Sequence, residues 1–113
     1  MRIPRSLIAA RVRVPLERQA EYREVLTELA GRFRSAGSHL WLFRHRDDPE
    51  LFLEFREGAA DRVPALRDGG TEVEQGLDQR LKRMGLYVED DVAWGEVALM
   101  TQTEGWQDAE TPD

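Results

Sequence analysis

No cysteine and no asparagine occur among the 113 residues. Without cysteine there is no disulfide and no thiolate metal site. No apolar run approaches the roughly 20 residues that a membrane helix needs. Met1–Ser6 holds no signal-peptide hydrophobic region. A soluble, cytoplasmic protein without a membrane partner is therefore the expectation. Lysine is nearly missing: fifteen of the sixteen basic residues are arginine, and Lys82 is the exception. A GC-rich bacterial gene accounts for such a bias. The formal charge of −6 opposes non-specific attraction to nucleic acid, so none is expected as a partner. Nucleophile elbows, phosphate-cradling glycine loops and metal-protease helices are all missing. Gly69-Gly70 before Thr71 could hold an anion, but Asp68, Glu72 and Glu74 oppose it.

What is present reads as one domain over residues 1–100, followed by an acidic tail over 101–113 that carries Trp106. Such a chain buries roughly two thirds of its unfolded surface, enough for one core. Leu7–Val14 alternates with period two and predicts a strand ended by Pro15. Tyr22, Val25, Leu26, Leu29 and Phe33 repeat at helical spacing and predict a helix over Glu17–Ser35, stopped near Gly37. Ser38–Arg46 and Leu51–Arg56 alternate around the turn residues Asp47-Asp48-Pro49-Glu50 and predict a hairpin. Asp61–Arg67 reads as a short helical piece. Thr71 with Glu74 forms a capping box that opens a helix with the stripe Val73, Leu77, Leu81 and Met84, closed by Gly85. Val92–Met100 predicts the last strand.

The order β-α-β-β-α-β predicts an α+β fold of ferredoxin-like type. It has a four-stranded antiparallel sheet in the order 4-1-3-2, with two helices on one face. Ile8, Ala10, Val12, Leu40, Leu42, Leu51, Leu53, Phe55, Val97 and Leu99 are assigned to the helix side. The other face then shows Leu7, Ala9, Arg11, Arg13, His39, Trp41, Phe43, His45, Phe52, Glu54, Arg56, Trp94 and Glu96. That face is too aromatic for a wet surface and too charged for a dry core. Two such sheets packed face to face make a barrel-like homodimer with a lined interior. Strands 1 and 3 adjoin in this topology, so Glu54 is expected to pair with Arg11 or Arg13.

The hairpin His39-Leu40-Trp41-Leu42-Phe43, the turn Asp48-Pro49-Glu50 and Leu51-Phe52-Leu53-Glu54-Phe55 resemble the dimeric α/β-barrel proteins. Within them the run Asp48, Pro49, Phe52, Glu54, Phe55 is most similar to the antibiotic biosynthesis monooxygenase-like domain, over about residues 6 to 100. The resemblance implies a ferredoxin-like homodimer and, among its characterised members, cofactor-free oxygenases of polycyclic aromatics or haem-degrading enzymes. Both groups commonly use an asparagine and a tryptophan in the cavity, and the haem-degrading ones a histidine on the second helix. This chain has neither an asparagine nor a histidine beyond residue 45. That departure turns the resemblance away from haem and weakens the oxygenase reading.

The candidate acid–base residues are His39, His45 and Glu54, since an imidazole oriented by a carboxylate titrates near neutral pH. The candidate ligand contacts are Arg11, Arg13, Trp41, Phe43, Phe52, Arg56 and Trp94: rings for stacking, guanidinium groups for an anion. His39 and His45 lie about 20 Å apart along one strand and cannot share a metal within one chain. No metal or other cofactor is expected. The leading reading is a homodimer that binds a small, partly aromatic molecule on the sheet face, with cofactor-independent monooxygenase-like chemistry. A non-catalytic ligand-binding or structural dimer is the alternative. An RNA-binding sheet of the RRM kind is disfavoured by the negative charge and the missing basic-aromatic run.

Overall fold

The computed structural model describes residues 4–89 and 92–99. The tail at 101–113, Trp106 and Met100 lie outside them. The chain runs through β1 (Arg5–Arg13), α1 (Gln19–Ser35), β2 (His39–Arg44), β3 (Leu51–Ala59), α2 (Val63–Asp68), α3 (Glu72–Met84), β4 (Leu86–Glu89) and β5 (Trp94–Gly95). Antiparallel strands lie in the order β2-β3-β1-β4, and β5 also pairs with β1. This is the predicted ferredoxin-like α+β sheet, with α1 and α3 packed together on one side.

Local chemistry places the helices. In α1, Tyr22, Val25, Leu26, Leu29 and Phe33 form the buried stripe. Its end is a Schellman motif: Ser38 N–H donates to Phe33 O at 2.8 Å and Gly37 N–H to Arg34 O at 3.0 Å. Gly37 sits at φ 79°, a left-handed conformation that favours glycine. The capping box that opens α3 is present, with Glu74 N–H donating to Thr71 Oγ1 at 3.1 Å and Thr71 N–H to Glu74 Oε1 at 3.3 Å. The stripe of α3 is rotated from the expected one. Val73 is exposed, while Leu77, Leu81 and Met84 are buried beside Glu74 and Asp78.

Two expectations fail. The fourth strand is not Val92–Met100. Leu86–Glu89 reverses directly after Gly85 and pairs with Ala10–Arg13; among the described residues that follow, Trp94 and Gly95 pair with Leu7 and Ser6. The shorter connection takes the C-terminal half of the β1 edge first. Val97 and Leu99, assigned to the core, are instead exposed.

The second failure concerns β3. Its buried residues are Phe52, Glu54, Arg56 and Gly58, which face the helices, whereas Leu51, Leu53, Phe55 and Glu57 alternate with them. The hairpin register decides this. His39 opposes Glu57, Trp41 opposes Phe55 and Phe43 opposes Leu53. Odd residues therefore pair with odd residues, and a strand shifted by one would turn every side chain over. Leu40 and Leu42 face the core as expected and pack on it.

Candidate functional site

The register arranges the open face in rows. His39, Glu57, Leu7 and Trp94 form one row across β2, β3, β1 and β5. Trp41, Phe55 and Ala9 form the next. Phe43, Leu53, Arg11 and Val88 form the third, and Leu51, Arg13 and Leu86 the fourth. Trp41, Phe43, Leu86, Val88 and Trp94 are all exposed, by 47% to 73%. Phe43 meets Phe55 edge-on, with ring centroids 5.6 Å apart at 75°. The middle of the face is thus apolar, and its two ends are polar.

At one end Arg5, Glu57 and His39 act as a unit. Arg5 donates to Glu57 through Nε at 2.6 Å and Nη2 at 2.9 Å, and also to Gly37 O at 2.8 Å. His39 Nδ1 lies 2.8 Å from Glu57 Oε1, and its ring stacks on Trp41 at 5.5 Å and 6°. The hydrogen bonds from Arg5, with a further contribution from His39, pull the Glu57 carboxyl down to about 2 against partial burial. Glu57 is therefore a carboxylate at neutral pH. It calls for an N–H on His39 Nδ1, leaving Nε2 as the lone-pair nitrogen of the neutral ring. A base of this form can take a proton from an acidic hydroxyl. Arg5 and Glu57 were missed in the sequence, because period-two reading placed Glu54 on this face instead.

At the other end Arg13 is held by Asp48 at 2.9 Å and by Glu50 at 3.6 Å. The pairing lowers the Asp48 carboxyl and raises Arg13. His45 Nδ1 accepts the Asp47 N–H at 3.0 Å. A groove of about 380 Å³ lies here, lined by Arg11, Phe43, Arg44, His45, Leu51, Phe52 and Leu53.

Glu54 pairs with neither Arg11 nor Arg13. It is buried between sheet and helices, where its Oε2 accepts the Tyr22 hydroxyl at 2.6 Å and the Tyr87 hydroxyl as well. Its Oε1 accepts Arg56 Nη2 at 3.2 Å. Arg56 Nη1 reaches the carbonyls of Leu66 and Arg67 at 3.0 and 3.1 Å, and Asp78 Oδ1 at 2.8 Å. Lys82 Nζ closes the chain on Asp78 Oδ2 at 3.2 Å. Burial, reinforced by Glu54, raises both tyrosines. Burial alone would lower Arg56, but Glu54 and Asp78 overcome it and hold Arg56 above its ordinary value. Within this network Asp78 Oδ1, misaligned for a hydrogen bond though close to Arg56, is the one buried side-chain atom left unmatched, which is why so polar a parity can point inward. The cavity beside it measures about 10 Å³, at the lower limit of the volume a single water needs. Phe52 meets Tyr22 at a tilt of 42° with ring centroids 5.5 Å apart, and lies under the Arg44 guanidinium. Glu54, Phe52 and Arg56 therefore belong to the core side rather than to the candidate ligand face. The open face does bring together His39, Trp41, Phe43, Arg11, Arg13 and Trp94. His45 follows β2 at its rim. Among the described residues no group of three histidine, aspartate or glutamate side chains could hold a metal ion.

No protein-family profile and no curated protein sequence matches the chain. Solved structures do match. A Caulobacter crescentus protein that carries the antibiotic biosynthesis monooxygenase name superposes with a TM-score of 0.66 at 16% identity, over 87% of this chain and 92% of that one. SnoaB, a cofactor-independent oxygenase from Streptomyces nogalater, superposes at 0.63 and 16%, over 91% of this chain and 100% of its own. A conserved Bacteroides thetaiotaomicron protein of unknown function, described as a possible oxidoreductase, superposes at 0.67 and 13%, over 85% and 100%. The chain has the ferredoxin-like α+β fold of the antibiotic biosynthesis monooxygenase-like proteins. At these identities the likeness extends to the fold.

Proposed function

We propose that the chain is a cytoplasmic homodimer formed through the open sheet face, and that this face encloses a small, flat, partly apolar molecule. One observation carries the reading: a contiguous field of Trp41, Phe43, Phe55, Leu53, Val88 and Trp94 that no helix among the described residues covers. Apolar patches of this kind mark interaction surfaces. The polar ends of the face favour a lined cavity over a dry seam. The chemistry we assign is cofactor-independent and monooxygenase-like, in keeping with the oxygenases that share the fold. His39, oriented by Glu57 through Nδ1 with Nε2 left free to accept, is the base that would ionise a hydroxylated substrate lying on Trp41. Trp94 and Phe43 supply stacking area. With no asparagine to hydrogen-bond an oxyanion, the chain also suits a second reading, a ligand-binding dimer without turnover.

Light scattering at micromolar concentration should give a dimer, and Trp41→Glu should shift it towards monomer by placing a charge in an apolar contact. A wild-type monomer would sink the dimer. Hydroxylated aromatics and quinols should raise the melting temperature, and oxygen uptake on the stabilising compounds should fall in His39→Ala. Binding without oxygen uptake would leave the non-catalytic reading; no stabilising compound would remove the ligand site.

A further inference from the structure

Arg11 stands apart from its neighbours. Three arginines of β1 occupy the open face: Arg5, Arg11 and Arg13. Arg5 is neutralised by Glu57 and Arg13 by Asp48. The partner expected for Arg11, Glu54, lies on the other side of the sheet. The Arg11 side chain makes no hydrogen bond and no ion pair among the described residues. It is exposed in the third row, between Leu53 and Val88, with Phe43 beyond Leu53. It also lines the groove of about 380 Å³ with Phe43, His45, Leu51 and Leu53. That volume falls within the range of small-molecule sites, about 300–1,000 Å³.

From this arrangement we infer that the groove binds a small aromatic monocarboxylate, with Arg11 holding the carboxylate. The inference rests on the reading of the open face as a ligand surface and names the chemical class it takes. A planar guanidinium matches a carboxylate through two parallel hydrogen bonds. His45 supplies a second donor. Its Nδ1 is occupied as the acceptor of the Asp47 N–H at 3.0 Å, so the neutral ring carries its proton on Nε2. Phe43, Leu51 and Leu53 provide the apolar body of the site. A monoanion fits better than a phosphate dianion. Asp48 and Glu50 flank Arg13 at the next position on this face, and the whole chain is at −6. A neutral ligand would leave the guanidinium unmatched under an aromatic cover, an expensive arrangement.

Calorimetry on the full chain with 2-naphthoate and its neutral isostere 2-naphthamide tests the inference. The wild type should bind the carboxylate at least tenfold more tightly than the amide. Arg11→Gln should remove that preference and leave the amide unchanged, and Arg11→Lys should restore part of it. Equal affinity for acid and amide, no binding of the acid, or a preference that survives in Arg11→Gln would each overturn it. If both variants fail to fold, the wild-type comparison of acid and amide decides alone. Light scattering run in parallel separates this site from the dimer. A wild-type monomer that binds naphthoate through Arg11 supports the groove while removing the dimer. A dimer that falls apart in Arg11→Gln and ignores naphthoate means that Arg11 pairs with an acid of the second copy, and the inference fails. A dimer that takes neutral quinols but shows no preference for the acid leaves the proposed function standing without it.

Discussion

Replacing Glu54 with leucine tests the inside of the sheet most severely. Leucine is close to glutamate in volume, so the substitution removes acceptors without opening a large void. Two buried hydroxyls, Tyr22 and Tyr87, lose the oxygen they share, and Arg56 loses its contact at 3.2 Å. Each stranded buried donor costs about 1–3 kcal/mol. Arg56 keeps Asp78 at 2.8 Å and the carbonyls of Leu66 and Arg67, so its own loss stays nearer the lower bound. The sum is on the order of 3–5 kcal/mol. A typical domain holds only about 5–15 kcal/mol in total. Urea unfolding followed by tryptophan fluorescence and circular dichroism should therefore show a large fall in midpoint at an unchanged slope. Tyr22→Phe and Tyr87→Phe in the same background remove the stranded hydroxyls and should return about 2 kcal/mol relative to the sum of the single changes. A Glu54→Leu variant within about 0.5 kcal/mol of wild type, the range of ordinary surface changes, would refute the placement of Glu54 in the core.

Gly58→Ala should lower stability by about 1–3 kcal/mol in the same assay, because a Cβ there would stand 2.6 Å from Ser38 Oγ and 3.1 Å from Leu66 Cδ2. Ser38→Gly in the Gly58→Ala background should relieve most of the loss, and an unchanged midpoint in the single variant would mean that Ser38 turns away freely. The acid limb of stability should depend on Glu57. Its folded value of about 2 lies below the ordinary 4.5, so its contribution is complete above about pH 4.5 and is lost as the pH falls towards 2. Melting curves of wild type and Glu57→Gln should converge over that window, and a gap independent of pH would exclude the Arg5–Glu57–His39 pairing as its source.

Most of the fold was legible because its signals are local. The stripe of α1, the capping box at Thr71 and the turn at Asp47–Glu50 each need only a few adjacent residues. The face of β3 was not. Leu51, Leu53 and Phe55 look like the inward parity, and Phe52, Glu54 and Arg56 look like the outward one. What reverses them is non-local: Tyr22, Asp78 and Tyr87, spread over three other elements, converge to satisfy Glu54 and Arg56. The same reversal hid part of the candidate site. His39, Trp41, Phe43, Arg11, Arg13 and Trp94 were readable from alternation along β1, β2 and the last strand. Glu57 and Arg5 were not, since only the pairing of β2 with β3 puts Glu57 opposite His39. One signal could have found it: a five-residue connection between His45 and Leu51 keeps odd residues opposite odd ones.

That connection also limits how the chain can vary. His45 N–H bonds Leu51 O at 2.8 Å and closes the hairpin around residues 46–50. Most surface loops accept insertions freely, because lengthening them costs little closure entropy. In this one the pairing matters more than the count. A change that slipped β2 against β3 by one position would turn one strand over, sending Glu54 and Arg56 outward and Leu53 and Phe55 against the helices. A residue absorbed within 46–50 leaves both faces as they are. In a collection of diverged copies of this chain, the connection should vary in composition and length while the partners of His39 and Leu42, Glu57 and Glu54, stay opposite them.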